Sequence, residues 1–327
     1  MMRVPVFFTF VFFVFGFGVG ADSRSHAADF RIVDNDQTLA IFKGDAPVLT
    51  YQKAVLPPPA GVDKVFRRSG FIHPMHTPAG VLATEIHPRD HYHHFGLWHA
   101  WVHTRFDGKE VDFWNLKSRT GRIRFSKIID TDASGDQARF CVEQEHLAFP
   151  DSDNETVVLR ERLEITVRED GGVYLIDYDV TQQNVAEQPI EFLKHRYGGM
   201  IALRGPSHWD RDNSRLVTSE GHDRNNGNGK PARWAVFAGP VSAESESTIS
   251  IAMLGHDDNW NSPQRTRIWS DRIHRGAAFF LFVPTVNRAL TLNPNEEVRM
   301  RYRLMLADET LERERIETAF LKFNETP

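Results

Sequence analysis

The alternation of apolar and polar residues predicts a chain built almost entirely of β-strands. Residues 38–51 contain two alternating runs on either side of Gly44-Asp45, which is typical of a hairpin. Residues 156–168 alternate over their whole length, and Gly171-Gly172 then predicts a turn into the next strand. About a dozen such segments follow one another without a long linker, so we expect one all-β domain, a large β-sandwich over residues 29–307.

A helical period appears at the carboxyl end. Between residues 308 and 324, apolar side chains recur three and four positions apart, which predicts an amphipathic helix packed on the sandwich. Asp308 is the predicted N-cap, because its side chain can accept a backbone N–H of the first turn. The apolar stripe consists of Leu311, Ile316, Ala319, Phe320 and Phe323.

Composition narrows the class of protein. The 327 residues include 39 basic and 44 acidic side chains, which gives a net charge of −5, and 41% of the residues are apolar. This balance is typical of a globular protein and gives no reason to expect a nucleic acid partner. The single cysteine, Cys141, can form neither an intrachain disulfide nor a cysteine-based zinc site.

Residues 1–21 have the pattern of a secretory signal peptide. Arg3 is followed by an uncharged apolar run over residues 4–20, and small residues allow cleavage after Ala21 or as late as Ala27. An uncleaved anchor is the alternative, since the run is close to the length of a spanning helix. We expect cleavage, no stable membrane insertion afterwards, and a periplasmic or secreted protein.

Eight of the fifteen histidines lie between positions 73 and 103, a concentration far above an even spread. They are His73, His76, His87, His91, His93, His94, His99 and His103. If the middle of this segment is extended, His91 and His93 point to the same side and can bind one divalent transition metal ion. A further ligand would come from Glu85, Asp90 or His195.

Two other interpretations of the histidine cluster remain open. In the first, His93 and His94 exchange protons with a polar substrate. Asp90 or Glu85 supplies the carboxylate of this catalytic set, and His195 completes it. In the second, the histidines belong to a surface loop or are core residues with backbone partners. Acid–base catalysis requires no cofactor, whereas the His-x-His spacing suits a divalent transition metal.

Aromatic and basic side chains near the histidines suit a sugar, whose CH face stacks on an aromatic ring while its hydroxyl groups form hydrogen bonds. Alternation from residue 95 onward places Trp98 and Trp101 on opposite faces of a strand, so one of them lies beside the cluster whichever face is buried. An arginine of the later segments could hold a carboxylate through two hydrogen bonds. The predicted substrate-binding residues are Trp98, Trp101, Arg196, His256, Asn259, Arg267 and Trp269.

The order of several motifs resembles the bacterial family named methane oxygenase PmoA over roughly residues 65–285. The motifs are His73-Pro74, Asp90-His91-Tyr92-His93-His94, Gly96-Leu97-Trp98, Val111-Asp112-Phe113-Trp114, Tyr197-Gly198-Gly199, and His256 with Asn259 and Trp269. Members of that family usually carry Arg where this chain has Phe95. After residue 21 the chain has no apolar run of about 18 residues, so it lacks the spanning helices of a membrane methane monooxygenase subunit.

The resemblance implies secreted proteins of bacteria that degrade complex glycans, with a β-sandwich like the supersandwich of aldose mutarotases. We therefore predict an exported carbohydrate-active enzyme, a hydrolase, lyase or epimerase, that acts on a sugar or oligosaccharide by His/carboxylate acid–base chemistry. Two alternatives stay open. One is a non-catalytic sugar-binding or scaffold β-sandwich, and the other is a His-ligated, metal-dependent oxidative enzyme.

Overall fold

The computed structural model describes residues 29–325, which form twenty β-strands and one α-helix, α1, at Arg313–Asn324. In chain order the strands are β1 (Phe30–Asp34), β2 (Thr38–Lys43), β3 (Ala46–Gln52), β4 (Phe71–Met75), β5 (Leu97–Ala100), β6 (Thr104–Phe106), β7 (Lys109–Val111), β8 (Gly121–Ser134), β9 (Gln137–Ala148), β10 (Thr156–Asp170), β11 (Val173–Asn184), β12 (Ile190–Phe192), β13 (Gly199–Arg204), β14 (Arg215–Thr218), β15 (Trp234–Pro240), β16 (Thr248–Gly255), β17 (Arg265–Ile268), β18 (Phe279–Val283), β19 (Leu290–Leu292) and β20 (Glu297–Ala307). The predicted signal peptide over residues 1–21, with cleavage as late as residue 27, lies outside the described residues.

The strands form two eight-stranded sheets and one four-stranded sheet. The first sheet has the order β1-β2-β3-β4-β5-β13-β18-β17, the second β14-β15-β16-β20-β11-β10-β9-β8, and the small sheet β19-β12-β6-β7. The two large sheets pack face to face, so that the rings of Tyr51 on β3 and Phe140 on β9 lie 5.7 Å apart in the core. The predicted all-β sandwich with one carboxyl-terminal helix is confirmed.

The turns predicted from glycine are present where expected. Gly44 has a φ of 56° between β2 and β3, and Gly171 and Gly172 have φ values of 57° and 76° between β10 and β11. Glycine adopts this left-handed region without the steric cost that a side chain would add. The β10–β11 hairpin forms the middle of the second sheet, between β9 and β20.

The carboxyl-terminal helix begins later than the sequence predicts. The predicted helix is present and ends at Asn324, but its predicted start at residue 308 and Asp308 as its N-cap are wrong, because α1 begins at Arg313. Asp308 instead accepts hydrogen bonds from the Ala79 backbone N–H (2.7 Å) and from the Thr77 hydroxyl, which hold its carboxylate against the loop after β4. The apolar stripe buries Leu311, Ile316, Phe320 and Phe323 against the outer face of the second sheet. Within the described residues, no helix is long and apolar enough to cross a membrane.

A buried carboxylate joins the two large sheets. Glu161 interrupts an apolar face of β10 between Leu159 and Leu163, and its side chain is fully buried. Four side chains donate hydrogen bonds of 2.6–2.9 Å to it: His99 from β5 of the first sheet, and Gln144, His146 and Gln182 from the second. Burial by itself would raise the pKa of Glu161, but His99 and His146 outweigh burial and lower it below its ordinary value. The carboxylate is therefore ionised and fully paired inside the core.

We expect Glu161→Gln to lower the free energy of unfolding by about 3 kcal/mol or more, because it leaves buried donors without an ionised acceptor. Chemical denaturation near neutral pH measures this loss. The matched control is Glu187→Gln, which alters an exposed carboxylate and should change the free energy by less than about 0.5 kcal/mol.

The free energy of unfolding of the same two variants should depend differently on pH. A folded-state pKa below the ordinary 4.5 means that Glu161 stabilises the fold above pH 4.5 and that this contribution is lost as the pH falls towards the folded-state pKa. Stability should therefore fall less steeply below pH 4.5 in Glu161→Gln than in the Glu187→Gln control. Equal slopes, or a loss of stability in Glu161→Gln no larger than in the control, would contradict the role assigned to this carboxylate.

Candidate functional site

A cleft of about 670 Å³ lies between the loop before β5, the β7 region and the loop before β13. This volume is in the range that small-molecule ligands occupy. Six residues that the sequence singled out line it: His91, His93, His94, His195, Arg196 and Trp269. The cleft is therefore the candidate functional site.

The histidine segment reaches the cleft as a pair of turns. Residues 91–94 are not extended, so the condition for the predicted His91/His93 metal pair is not met: the His91 N–H donates to Pro88 O (2.8 Å) and the His94 N–H to His91 O (2.9 Å). As a result three imidazole rings contact one another, with centroids 4.7 Å apart for His91 and His94, 4.8 Å for His93 and His94, and 5.4 Å for His91 and His93. Alternation along a strand would have separated His94 from the other two.

The eight clustered histidines serve in different parts of the fold. Four of them line the cleft, namely His91, His93, His94 and His103. His99 is a core residue that pairs with Glu161, and His73 contacts the Thr84 hydroxyl at 2.9 Å. Only part of the cluster is thus available for chemistry in the cleft.

Burial lowers the pKa values of four histidines that line the cleft, His91, His93, His94 and His195. Burial, with the nearby His91, lowers the pKa of His93 to about 4. Burial, with the nearby His93 and His91, lowers the pKa of His94 far below its ordinary value. Burial also lowers the pKa of His195. A neutral imidazole can accept a proton, donate a hydrogen bond or bind a metal ion.

Aromatic rings fix the innermost histidine. His94 is 1% exposed and lies parallel to Phe279, with centroids 4.9 Å apart and planes 10° apart. Trp98 packs on His94 at 5.0 Å and on Trp114 at 5.1 Å. Trp98 therefore supports the wall from behind and does not line the cleft, while Trp114 and Trp269 reach the wall with almost fully buried rings.

The opposite wall contains polar residues that the sequence did not single out as site residues. Asp112 Oδ1 accepts the backbone N–H groups of Trp114 and Asn115, each at 2.8 Å, and so fixes the turn that carries both side chains into the cleft. Burial raises the pKa of Asp112, and the hydrogen bonds from Trp114 and Asn115, which lower it, offset this only in part. Nearby, His103 Nε2 lies 3.3 Å from Glu110 Oε1. The Val111-Asp112-Phe113-Trp114 motif was the signal that could have identified this wall.

Tyr197 is a further lining residue, and a buried arginine holds it. Arg267 Nη2 donates to the Tyr197 hydroxyl at 2.7 Å, and Arg267 Nη1 donates to Asn228 Oδ1 at 2.8 Å. Arg267 does not line the cleft, so it positions Tyr197 and cannot hold a substrate carboxylate directly. Arg196 is exposed, with its guanidinium carbon 5.6 Å from the Tyr197 ring centre.

Four predicted site residues lie elsewhere, each with contacts of its own. Trp101 faces the core, where its indole N–H donates to Gln182 (2.8 Å). His256 and Asn259 lie beside the end of α1, and Asn259 exchanges two hydrogen bonds with the Arg301 backbone. Glu85 pairs with Arg204 at 3.2 Å. Burial raises the pKa of Glu85, and the pairing with Arg204 offsets this only in part. The expectation that these residues share one pocket is not met, because sequence spacing does not encode which face or loop they occupy.

Asp90 lies at the edge of the site and brings in a histidine that the sequence did not suggest. Its Oδ2 is 3.1 Å from His91 Nδ1 and 3.1 Å from His274 Nδ1. One ligand atom from each of the three residues lies within 4.8 Å of the other two. His93 and His195 are not part of this set, so the metal-ligand pair predicted at His91 and His93 is not the grouping that the structure forms.

Solved structures with a similar arrangement include proteins that act on carbohydrates. A polysaccharide lyase has a TM-score of 0.35 and 11% identity over 90% of this chain and 34% of its own. A GH36 alpha-galactosidase from Geobacillus stearothermophilus, in complex with raffinose, has a TM-score of 0.37 and 10% identity over 86% and 41%. A galactose mutarotase-like protein from Clostridium acetobutylicum has a TM-score of 0.39 and 10% identity over 86% and 99%. The chain thus spans less than half of the length of the first two proteins.

Sequence comparison assigns the family. No curated protein matches the chain. The resemblance to the methane oxygenase PmoA family is not supported, because the family model that matches is a different one, and it covers residues 38–321. The chain belongs to DUF6807, a family of unknown function.

Proposed function

We propose that this protein is a carbohydrate-active enzyme that transfers protons at a sugar bound in the cleft. The observation that carries the proposal is the half-buried, neutral imidazole of His93 in the same cleft as a second histidine paired with a carboxylate, His103 with Glu110. Hydrolases, lyases and epimerases all need a proton acceptor and a proton donor around one substrate. The cleft offers both kinds of group.

His93 is the proposed proton acceptor. Its low pKa keeps the ring unprotonated at neutral pH, so that a nitrogen is free to take a proton. His94 is less suited to this step, because it is almost fully buried between aromatic rings. We assign His94 the role of fixing the orientation of His93, whose ring it contacts at 4.8 Å.

His103 is the proposed proton donor. Glu110 Oε1 lies 3.3 Å from its Nε2 and can orient the ring, as in other acid–base pairs in which a carboxylate orients an imidazole. His195 lies beside it, with ring centroids 6.0 Å apart. Both histidines line the same cleft as His93, which allows one bound sugar to contact donor and acceptor.

Sugar binding is proposed because the cleft combines aromatic and hydrogen-bonding side chains. The half-buried Tyr197 ring offers a stacking face, and Asn115, Ser118 and Thr120 supply groups for hydroxyl hydrogen bonds. The exposed guanidinium of Arg196 can pair with a carboxylate substituent. These features favour a sugar or oligosaccharide, including one that carries a uronic acid.

Substitution of the proposed proton acceptor tests the reaction. We expect His93→Gln to lower turnover of oligosaccharides by roughly 100-fold or more, because a general base typically contributes 100- to 10,000-fold. Mass spectrometry of neutral and uronic-acid-containing oligosaccharides after incubation detects the product. The matched control is His222→Gln, a half-buried histidine outside the cleft, which should keep full turnover.

The outcomes separate the two classes of protein. Full turnover in His93→Gln would contradict the role of His93. Calorimetric binding of oligosaccharides to the unaltered protein without any product would instead favour the non-catalytic sugar-binding alternative. Thermal unfolding of both variants distinguishes a lost reaction from a lost fold.

Sugar binding itself depends on the Tyr197 ring. We expect Tyr197→Ala to weaken oligosaccharide binding by about fivefold, since an aromatic contact contributes about 1 kcal/mol. Tyr197→Phe keeps the ring and removes the hydroxyl that Arg267 contacts, so its affinity should stay within about threefold of the unaltered protein. Isothermal titration calorimetry makes both measurements, and equal affinities in Tyr197→Ala and the unaltered protein would contradict stacking on this ring.

We also propose that the enzyme acts outside the cytoplasm. The support is the charge, apolar run and small residues of positions 1–21. Cell fractionation should recover the mature protein from the periplasm or medium, with an amino terminus near residue 22 or 28. Recovery of the full-length chain from the cytosol would contradict export.

A further inference from the structure

We propose that Asp90, His91 and His274 form a binding site for a divalent transition metal ion at the edge of the cleft. This inference does not rest on the proposed acid–base reaction, because it concerns a different set of side chains. The set joins the turn before β5 to the loop between β17 and β18. Two imidazoles and one carboxylate are a ligand set that suits Zn²⁺ and other first-row divalent ions.

The distances between the ligand atoms fit an ion. Asp90 Oδ2 is 3.1 Å from Nδ1 of both His91 and His274. Ligands of a tetrahedral ion with bonds of about 2.0–2.1 Å are separated by about 3.3 Å. Small side-chain adjustments would therefore bring all three atoms, which already lie within 4.8 Å of one another, to bonding distance.

One ligand atom of the set is buried. Nδ1 of His91 has no directed hydrogen-bond partner among the described residues, although Asp90 Oδ2 lies 3.1 Å from it. Two ligands of one ion approach each other obliquely, because each points to the ion and not to its neighbour. A buried ring nitrogen in this arrangement is explained by a bound cation.

The two histidine rings are held in place before any ion binds. The Trp269 indole packs on both, at 4.9 Å from His91 and 4.3 Å from His274, and the two imidazoles contact each other at 4.4 Å. His274 and Arg275 have φ values of 46° and 54°, a left-handed conformation that residues with a side chain rarely adopt. This conformation turns the backbone so that His274 faces the turn that carries Asp90.

Nearby positive charges are engaged by other carboxylates. The Arg204 guanidinium pairs with Glu85 at 3.2 Å. Arg275, next to His274, pairs with Asp210 at 2.7 Å and with Asp212. The charge of each arginine is thus partly offset, which reduces its repulsion of a cation at Asp90.

The site has room for an additional ligand from solution. Three protein ligands leave at least one coordination position of a tetrahedral ion open, which is the pattern of zinc sites that bind water or substrate. Asp90 is exposed, with 45% of its side chain accessible, and His91 lines the cleft. An ion at this position would lie at the edge of the cleft, where a hydroxyl or carboxylate oxygen of a bound molecule could complete its coordination.

Metal titration of the full chain tests the inference without any sugar. The purified protein, freed of affinity tag and treated with chelator, is titrated with Zn²⁺ by calorimetry and with Co²⁺ by visible absorption, which reports the coordination of the ion. We expect one ion per chain with micromolar or tighter affinity. Asp90→Asn, which keeps the size of an exposed side chain, and His274→Ala should each weaken binding by about 100-fold or more.

Two further variants separate this site from the other histidines. His93→Ala should weaken Zn²⁺ binding far less than His274→Ala does, because His93 contacts His91 but is not a member of the set. His222→Ala is the control for loss of a histidine elsewhere and should have no effect. Absence of stoichiometric binding, or equal affinity in Asp90→Asn and the unaltered protein, would overturn the proposal. Loss of binding in His93→Ala but not in His274→Ala would overturn it as well.

Discussion

The buried carboxylate of Glu161 is the constraint on which the sandwich depends. A charge in the core is tolerated only when it is fully paired, and four donors from both large sheets satisfy this one. His99 contributes from the first sheet, and its other nitrogen is hydrogen-bonded to the Tyr178 hydroxyl of the second sheet (2.7 Å). Because apolar packing between sheets is non-directional, such a network specifies one lateral position of β5 over β10.

The position of β5 also affects the wall of the cleft. Successive side chains of β5 point to opposite faces, so His99 enters the core while Trp98 packs on His94 and Trp114 behind the cleft wall. The Glu161 carboxylate and the candidate site thus contact opposite faces of one short strand, β5. A shift of β5 would move both the Glu161 network and the aromatic support of the histidines.

The cleft itself is a place where burial determines the chemistry. Aromatic rings surround His94 and approach His91, and the resulting loss of water lowers the pKa values of the histidines so that they are neutral. Neutral imidazoles suit both proton transfer, proposed for His93, and metal binding, proposed for His91 with His274. The two proposals use different rings of one cluster, and the pair of turns over residues 88–94 is what separates their roles.

The sequence alone determined the all-β class, the main hairpins, the apolar stripe of α1 and the segment where the chemistry concentrates. These are local properties, because alternation, glycine in turns and helical period depend on neighbouring residues. The tertiary structure decided which histidines meet. It placed Trp101 and His99 in the core, moved His256 to the end of α1, and brought His274 to Asp90 across about 180 residues. Such contacts follow from how sheets and loops pack, and no spacing along the chain encodes them.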